Sequence, residues 1–199
     1  MAYLGAILGL RWGEVAGLRV RHVDFLAGTV TVAEQLTRGE GGRSVVGAPK
    51  SAAGRRVLSG PRVLLDMLAV HLARRGLTGA DDDEFVFVSP CGEPLDYSHW
   101  RRRVWLPACA DAGVEGLVFH DLRRAAATAL VLEGVDMKTA QTRLGHSDPR
   151  LTLGLYAQAS NEADRDAAER VGARFVPGMW DGRWMEPGDE VGALRAYHA

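Results

Sequence analysis

The sequence predicts a mainly α domain with a small antiparallel β-sheet, an α+β arrangement, and three observations predict it. Apolar residues recur at intervals of three and four through most of the chain, the period of a helix with one buried face. Between residues 28 and 59 that period gives way to short alternating runs, the pattern of strands. Glycine and proline fall between the segments, where chain reversals are needed. A length of 199 residues suffices for one domain with a proper core.

Leu4, Ile7, Leu8, Val15 and Leu18 define an apolar stripe and predict a helix over 2–18. Thr29–Val32 alternates as a strand, Gly39–Gly42 reads as a turn, and Ser44–Val46 and Arg55–Leu58 read as further strands of one sheet. Pro61 suits the first turn of a helix that runs to about Arg75. An acidic loop over 79–84 precedes the apolar run Phe85–Val88. Helices are expected over 97–112, 119–133, 136–145, 149–159 and 161–174, with breaks at Gly113, Gly134, and Gly145 or Pro149. From Pro177 onward Pro, Gly, Trp and acids mix without a period. Residues 1–176 are therefore expected to form the domain and 177–199 a flexible tail.

Composition narrows the function classes. No apolar run reaches the roughly 18 residues of a membrane span, and Met1–Leu10 lacks the basic leader and cleavage site of a signal peptide. Cys91 and Cys109 are the only cysteines, too few for a disulfide framework, so both are expected to be inert and the setting reducing and cytoplasmic. Asp81-Asp82-Asp83 lacks the alternating ligands and glycine of a calcium loop, so no metal site is expected. The net charge is −1. From Asn161 onward there are eight acids and five bases, a balance of −3, which leaves +2 before that point. The bases cluster as Arg55-Arg56, Arg101-Arg102-Arg103 and Arg123-Arg124.

Four short patterns are candidates for chemistry. In His120-Asp121-Leu122-Arg123 the first and last residues share a helix face. That pairs an imidazole, able to move a proton near neutral pH, with a guanidinium that matches phosphate oxygens. Leu144-Gly145-His146 is followed ten residues later by Tyr156. A phenol titrates near pH 10, so as a nucleophile it needs a neighbouring base or positive charge. Arg11 and Glu14 stand three apart, where a carboxylate orients a second phosphate clamp. Lys50 falls between two strands, in reach of a departing oxygen if the turn moves. Each pattern alone is ordinary surface.

Taken in order along the chain, Arg11 with Glu14, Lys50, His120-x-x-Arg123, Leu144-Gly145-His146 and Tyr156 resemble the tyrosine recombinase (phage integrase) family. Local wording agrees, in Leu8-Gly9-Leu10-Arg11-Trp12-Gly13-Glu14-Val15 and in Leu144-Gly145-His146-Ser147-Asp148. The resemblance spans about residues 3 to 174. It implies the family's catalytic-domain fold, with Tyr156 attacking DNA phosphorus to form a 3′-phosphotyrosyl link and free a 5′-hydroxyl. It implies that Arg11 and Arg123 hold the phosphate oxygens, that His120 assists the proton at Tyr156, and that His146 hydrogen-bonds the phosphate. Lys50 would protonate the leaving oxygen and Glu14 would support. Arg55, Arg101, Arg102, Arg103 and Arg124 are expected to contact DNA. Fixed cations take the place of a metal, and no cofactor is implied. The implied partners are double-stranded DNA and other recombinase protomers, as a tetramer on DNA.

Family members carry a DNA-clamping domain ahead of the catalytic one, whereas here the first arginine comes almost at once. A truncated or remnant copy is therefore expected, with weak DNA binding. Three rival readings remain: an inactive DNA-binding remnant, a topoisomerase-like enzyme that nicks and reseals one strand, and a helix-turn-helix module. The last uses Asp136–Ser147 and Arg150–Tyr156 but leaves Arg11, Lys50 and His120-x-x-Arg123 without a task.

Overall fold

The computed structural model describes residues 1–39, 42–49, 51–154, 156–157 and 168–172. The chain divides into two compact units, Met1–Ala159 and Ser160–Ala199. In the second, the described residues 168–172 are helical. Lys50, most of the helix expected over 161–174, and the tail over 177–199 lie outside the described residues.

The first unit begins with α1 (Ala2–Leu8) and α2 (Trp12–Ala16), not the single helix expected over 2–18. The apolar stripe continues across both, so periodicity could not reveal the break. Gly9 creates it by taking a left-handed conformation, φ 68°, which ends α1 as glycine commonly ends helices. Arg11 thereby becomes the residue before α2 instead of a mid-helix position. Glu14 accepts the Arg11 backbone N–H on Oε2 at 2.9 Å, one half of a capping box.

Five short strands follow: β1 (Val23–Asp24), β2 (Thr29–Val32), β3 (Gln35–Arg38), β4 (Ser44–Gly47) and β5 (Arg56–Ser59). They form two antiparallel sheets, in the orders β1-β2-β5 and β3-β4, where one was expected. Among the described residues the β3-β4 ribbon pairs only with itself, and it includes a strand at 35–38 whose polar Gln35 and Arg38 mask the alternation. In β5 the pattern alternates inward and outward, with Arg56 and Leu58 buried and Val57 and Ser59 exposed.

Short 3-10 turns lie at Val20–His22 and Ala52–Gly54, and after the sheets come helices: α3 (Arg62–Arg74), α4 (Tyr97–Trp100), a π-helical turn (Arg101–Trp105), α5 (Leu106–Asp111), α6 (Phe119–Leu132), α7 (Met137–Leu144), and a helix over 149–154 and 156–157. The expected 97–112 helix is present but widened in its middle. Asp96 and Asp136 cap α4 and α7, accepting the backbone N–H of His99 at 2.8 Å and of Thr139 at 3.0 Å.

The core runs from α1 and α2 through the three-stranded sheet to α3 and α6, with Leu4, Leu8, Leu10, Val15, Val30, Leu64 and Val86 almost fully buried. An aromatic layer closes one end: Trp100 and Trp105 stack at 5.5 Å, and Phe119 meets both edge-on. Trp105 Nε1 donates to Leu117 O at 2.8 Å, so its buried indole is satisfied. The acidic loop is tied to basic residues, with Asp83 accepting from Arg21. Cys109 is buried, while Cys91 is exposed. Among the described residues no helix is long and apolar enough to cross a membrane.

Candidate active site

The site is built where two helices end. α6 carries Arg123 into the interior, where its residue is 3 % exposed. Its Nη1 donates to Gly9 O at 2.5 Å, and its Nη2 donates to Leu144 O. These carbonyls lie at the C-terminal ends of α1 and α7, where backbone oxygens lack helical partners and carry partial negative charge. One guanidinium therefore caps two helices. Both turn away through left-handed glycines, Gly9 and Gly145.

Arg11 enters from the start of α2. Its Nη1 donates to Glu14 Oε1 at 2.8 Å, with the arginine side chain 39 % exposed and the glutamate 1 %. Arg11 is thus anchored at its inner side and reachable from outside. Glu14 is also held from β5, where Arg56 Nη1 and Nη2 donate to its two oxygens at 3.1 and 3.0 Å. Burial pushes the Glu14 carboxyl up, but the hydrogen bonds and charges of Arg56 and Arg11 outweigh this and hold it below the usual carboxylate range. Arg11 and Arg56 both pair with this one carboxylate, and Arg123, bound to backbone carbonyls, lies near enough to feel its charge, so three guanidiniums and one carboxylate leave the cluster at +2. The Glu14 charge favours the charged form of Arg123. Burial and repulsion from Arg11 push the Arg123 pKa down to about 9, which still leaves it charged at neutral pH.

Two histidines flank the cluster. His120, exposed at the start of α6, is shifted down by partial burial and by Arg123, Arg124 and Arg11. His146, half-buried just beyond α7, is lowered to about 4 by burial and by the charges of Arg123, Arg11, Arg56 and His120. It is neutral at pH 7, with Nδ1 3.0 Å from the fully buried Thr152 Oγ1. The folded chain resists protonating His146 and the unfolded chain does not. Its contribution to stability is therefore complete above pH 6.5 and is lost as the pH falls towards about 4. Urea midpoints should decline across that window, with a shallower decline in His146→Gln.

The structure brings Arg11, Glu14, His120, Arg123 and His146 into one electrostatic cluster. Tyr156 is oriented differently. Its hydroxyl donates to Val135 O between α6 and α7, and burial, with Asp136 adding to it, raises its pKa above the ordinary phenol value. Arg55, Arg101, Arg102, Arg103 and Arg124 are all exposed, the middle three on the π-helical turn. Arg124 pairs with Asp121 at 3.1 Å. Among the described residues no three His, Cys, Asp or Glu gather as a metal site would require.

Sequence reasoning missed Arg56 and Thr152. For Arg56 a signal existed: a strand with Leu58 inward must also point Arg56 inward, and a buried arginine must find a carboxylate. Thr152 carried no such mark. Gly145 is fixed by the same packing. A Cβ there would stand 2.9 Å from Ala53 O and from Arg56 Nη1, on a backbone with φ +65°. Gly145→Ala is expected to cost about 1–3 kcal/mol of stability, from left-handed strain plus displacement of the guanidinium, and urea denaturation measures it.

The described unit is thus a mainly α domain in which partly buried cations lie beside two histidines. The chain belongs to the phage integrase family, whose pattern it matches over residues 2–163. It is 29 % identical to the integrase of Mycobacterium phage L5 over 173 residues, 85 % of this chain and 46 % of that protein. It is 31 % identical to the tyrosine recombinase XerA of Thermococcus kodakarensis, over 82 % of this chain and 51 % of that one. The chain spans about half the length of the relatives it matches. Among solved structures, the Tn1549 transposon integrase in complex with transposon right end DNA superposes with a TM-score of 0.67. That match has 25 % identity and covers 86 % of this chain and 58 % of the other. The XerA recombinase crystal structure has the same fold, with a TM-score of 0.61 and 24 % identity over 82 % of this chain and 54 % of that one.

Proposed function

We propose that this chain carries out the chemistry of site-specific DNA recombination, cleaving and rejoining strands through a 3′-phosphotyrosyl intermediate. The observation that carries this reading is the +2 cluster of guanidiniums around Glu14. Buried charges are ordinarily balanced, and the balance lacking here is what a DNA phosphate supplies. Arg11 and Arg123 bind its non-bridging oxygens and stabilise the charge of the pentavalent transition state. His146, neutral at pH 7, donates a hydrogen bond to the phosphate. His120 takes the proton from Tyr156, and Lys50 gives one to the leaving 5′-oxygen. An arriving phosphate raises the affinity of both histidines for protons, because it offsets the arginine charges that depress them.

Tyr156 attacks only after its hydroxyl leaves Val135 O. On this reading the described arrangement is a resting one, and DNA binding exchanges that hydrogen bond for the cationic cluster. The phosphotyrosyl link retains the energy of the phosphodiester, so a 5′-hydroxyl of a second strand reseals it without a cofactor. Arg55, Arg101, Arg102, Arg103 and Arg124 contribute phosphate contacts along the duplex. A tetramer on double-stranded DNA and a cytoplasmic setting belong to the same reading. The solved complex of the similar Tn1549 integrase with DNA supports DNA as the partner.

The test is a nicked suicide duplex, from which the short 5′-hydroxyl fragment diffuses away and traps the intermediate. A protein–DNA band stable to denaturing electrophoresis is expected. DNA binding without such a band would favour the reading as an inactive binding remnant.

A further inference from the structure

We propose that Arg56 is a positioning residue for strand cleavage, holding Arg11 through Glu14 and the His146 turn through the end of α7. This inference rests on the recombinase reading above.

Arg56 is 7 % exposed and its guanidinium makes four hydrogen bonds to three separate segments. Nη1 and Nη2 grip both oxygens of Glu14, whose other contacts are the Arg11 side chain and backbone N–H. Nε donates to Arg143 O at 2.8 Å, one residue before the Leu144 carbonyl that Arg123 takes. Nη1 also donates to Gly54 O at 2.9 Å, in the turn that leads into β5. The last turn of α7 is thus clamped by two arginines, and His146 follows it directly.

The plainer account is a buried ion pair that only stabilises the fold. Such pairs gain little over apolar residues of similar volume, because desolvation offsets the attraction. What the planar fork adds is fixed geometry. Its two bonds to Glu14 fix the carboxylate's orientation, the other two anchor the guanidinium, and through Glu14 they limit where Arg11 can point. Arg11 is the partly exposed cation of the cluster, so its orientation is the one an incoming phosphate meets.

Arg56→Lys keeps the charge and loses the fork. Single-turnover cleavage of the nicked duplex at saturating protein should fall by about 10²-fold, the scale of a small misplacement of reacting groups, while duplex affinity changes little. The deciding readout is a double-mutant cycle. In an Arg11→Ala background Arg56→Lys should cost markedly less than in the wild type, because the route through Glu14 to Arg11 is already gone and only the hold on the His146 turn remains. A merely structural Arg56 would multiply both losses in full. The 15N signals of the Arg11 guanidinium provide an arm that needs no cleavage. Arg56→Lys should move them towards exposed, averaged positions while core amide signals stay put.

If Arg56→Lys does not fold, Glu14→Asp keeps the charge, draws the carboxylate back by one methylene, and should give the same losses. Wild-type cleavage with an unaffected or fully multiplicative Arg56→Lys variant would overturn the inference. Absence of any wild-type adduct would overturn the recombinase reading instead, and unchanged Arg11 signals would then overturn the positioning role independently.

Discussion

Tyr156→Phe is expected to abolish covalent attachment to DNA while leaving duplex affinity nearly unchanged. The ring, with its packing, stays, and only the oxygen proposed as the nucleophile goes. Removing the nucleophile of another covalent catalyst lowers the rate by about 10⁶-fold, which on a gel is complete loss of the adduct. The substitution also removes the hydroxyl's bond to Val135 O, so a loss of about 0.5–1.5 kcal/mol in stability should accompany it. That small, separable loss is measured by urea denaturation. It matters because the raised Tyr156 pKa opposes phenolate formation in the resting arrangement. On the proposed reading the hydroxyl becomes reactive only once it reaches the positive cluster. An adduct that persists in Tyr156→Phe would transfer the nucleophile role to another residue.

Arg123→Ala carries the second large effect, and it has two parts. Losing a charge-stabilising donor typically costs about 2.7–4 kcal/mol of transition-state stabilisation, or 10²–10³ in rate. The same change leaves Gly9 O and Leu144 O without their buried donor, each at about 1–3 kcal/mol of stability. Arg123→Lys separates the parts. One ammonium cannot span both carbonyls as the fork does, so stability should fall while charge is kept. Cleavage that recovered fully in the lysine variant would assign Arg123 to charge alone, whereas a persistent loss assigns it to geometry as well. Melting curves and single-turnover rates on the same preparations decide between these outcomes.

The sequence made these residues legible for different reasons. His120 and Arg123 are three apart on a helix that the apolar period marks clearly, so their shared face followed from spacing. Arg11 and Glu14 were paired by the same rule, but the pairing arises from a helix start that the rule does not contain. Gly9 interrupts the backbone without interrupting the apolar stripe. Of the β3-β4 ribbon, β4 was legible at Ser44–Val46, while β3 escaped because polar Gln35 and Arg38 at its ends offer little alternation. Least legible was the interior role of Arg56. Beside Arg55 it reads as solvated charge; alternation with Leu58 points it inward, but the carboxylate it meets, Glu14, comes from a segment distant in sequence. Tyr156 was found by order along the chain, since nothing in its own neighbourhood distinguishes it from a packing tyrosine. Its resting bond to Val135 O depends on the α6–α7 junction, which local pattern does not encode.

The most direct measurement of the central claim is a peptide map of the trapped adduct. The chain is incubated with the nicked duplex, the denatured product is digested with protease and nuclease, and the nucleotide-bearing peptide is sequenced by mass spectrometry. The account predicts one modified peptide, with the phosphate on the Tyr156 oxygen and joined to the 3′-carbon of the cleaved strand. A nucleotide on any other side chain, or a phosphate joined to the 5′-carbon, would contradict it.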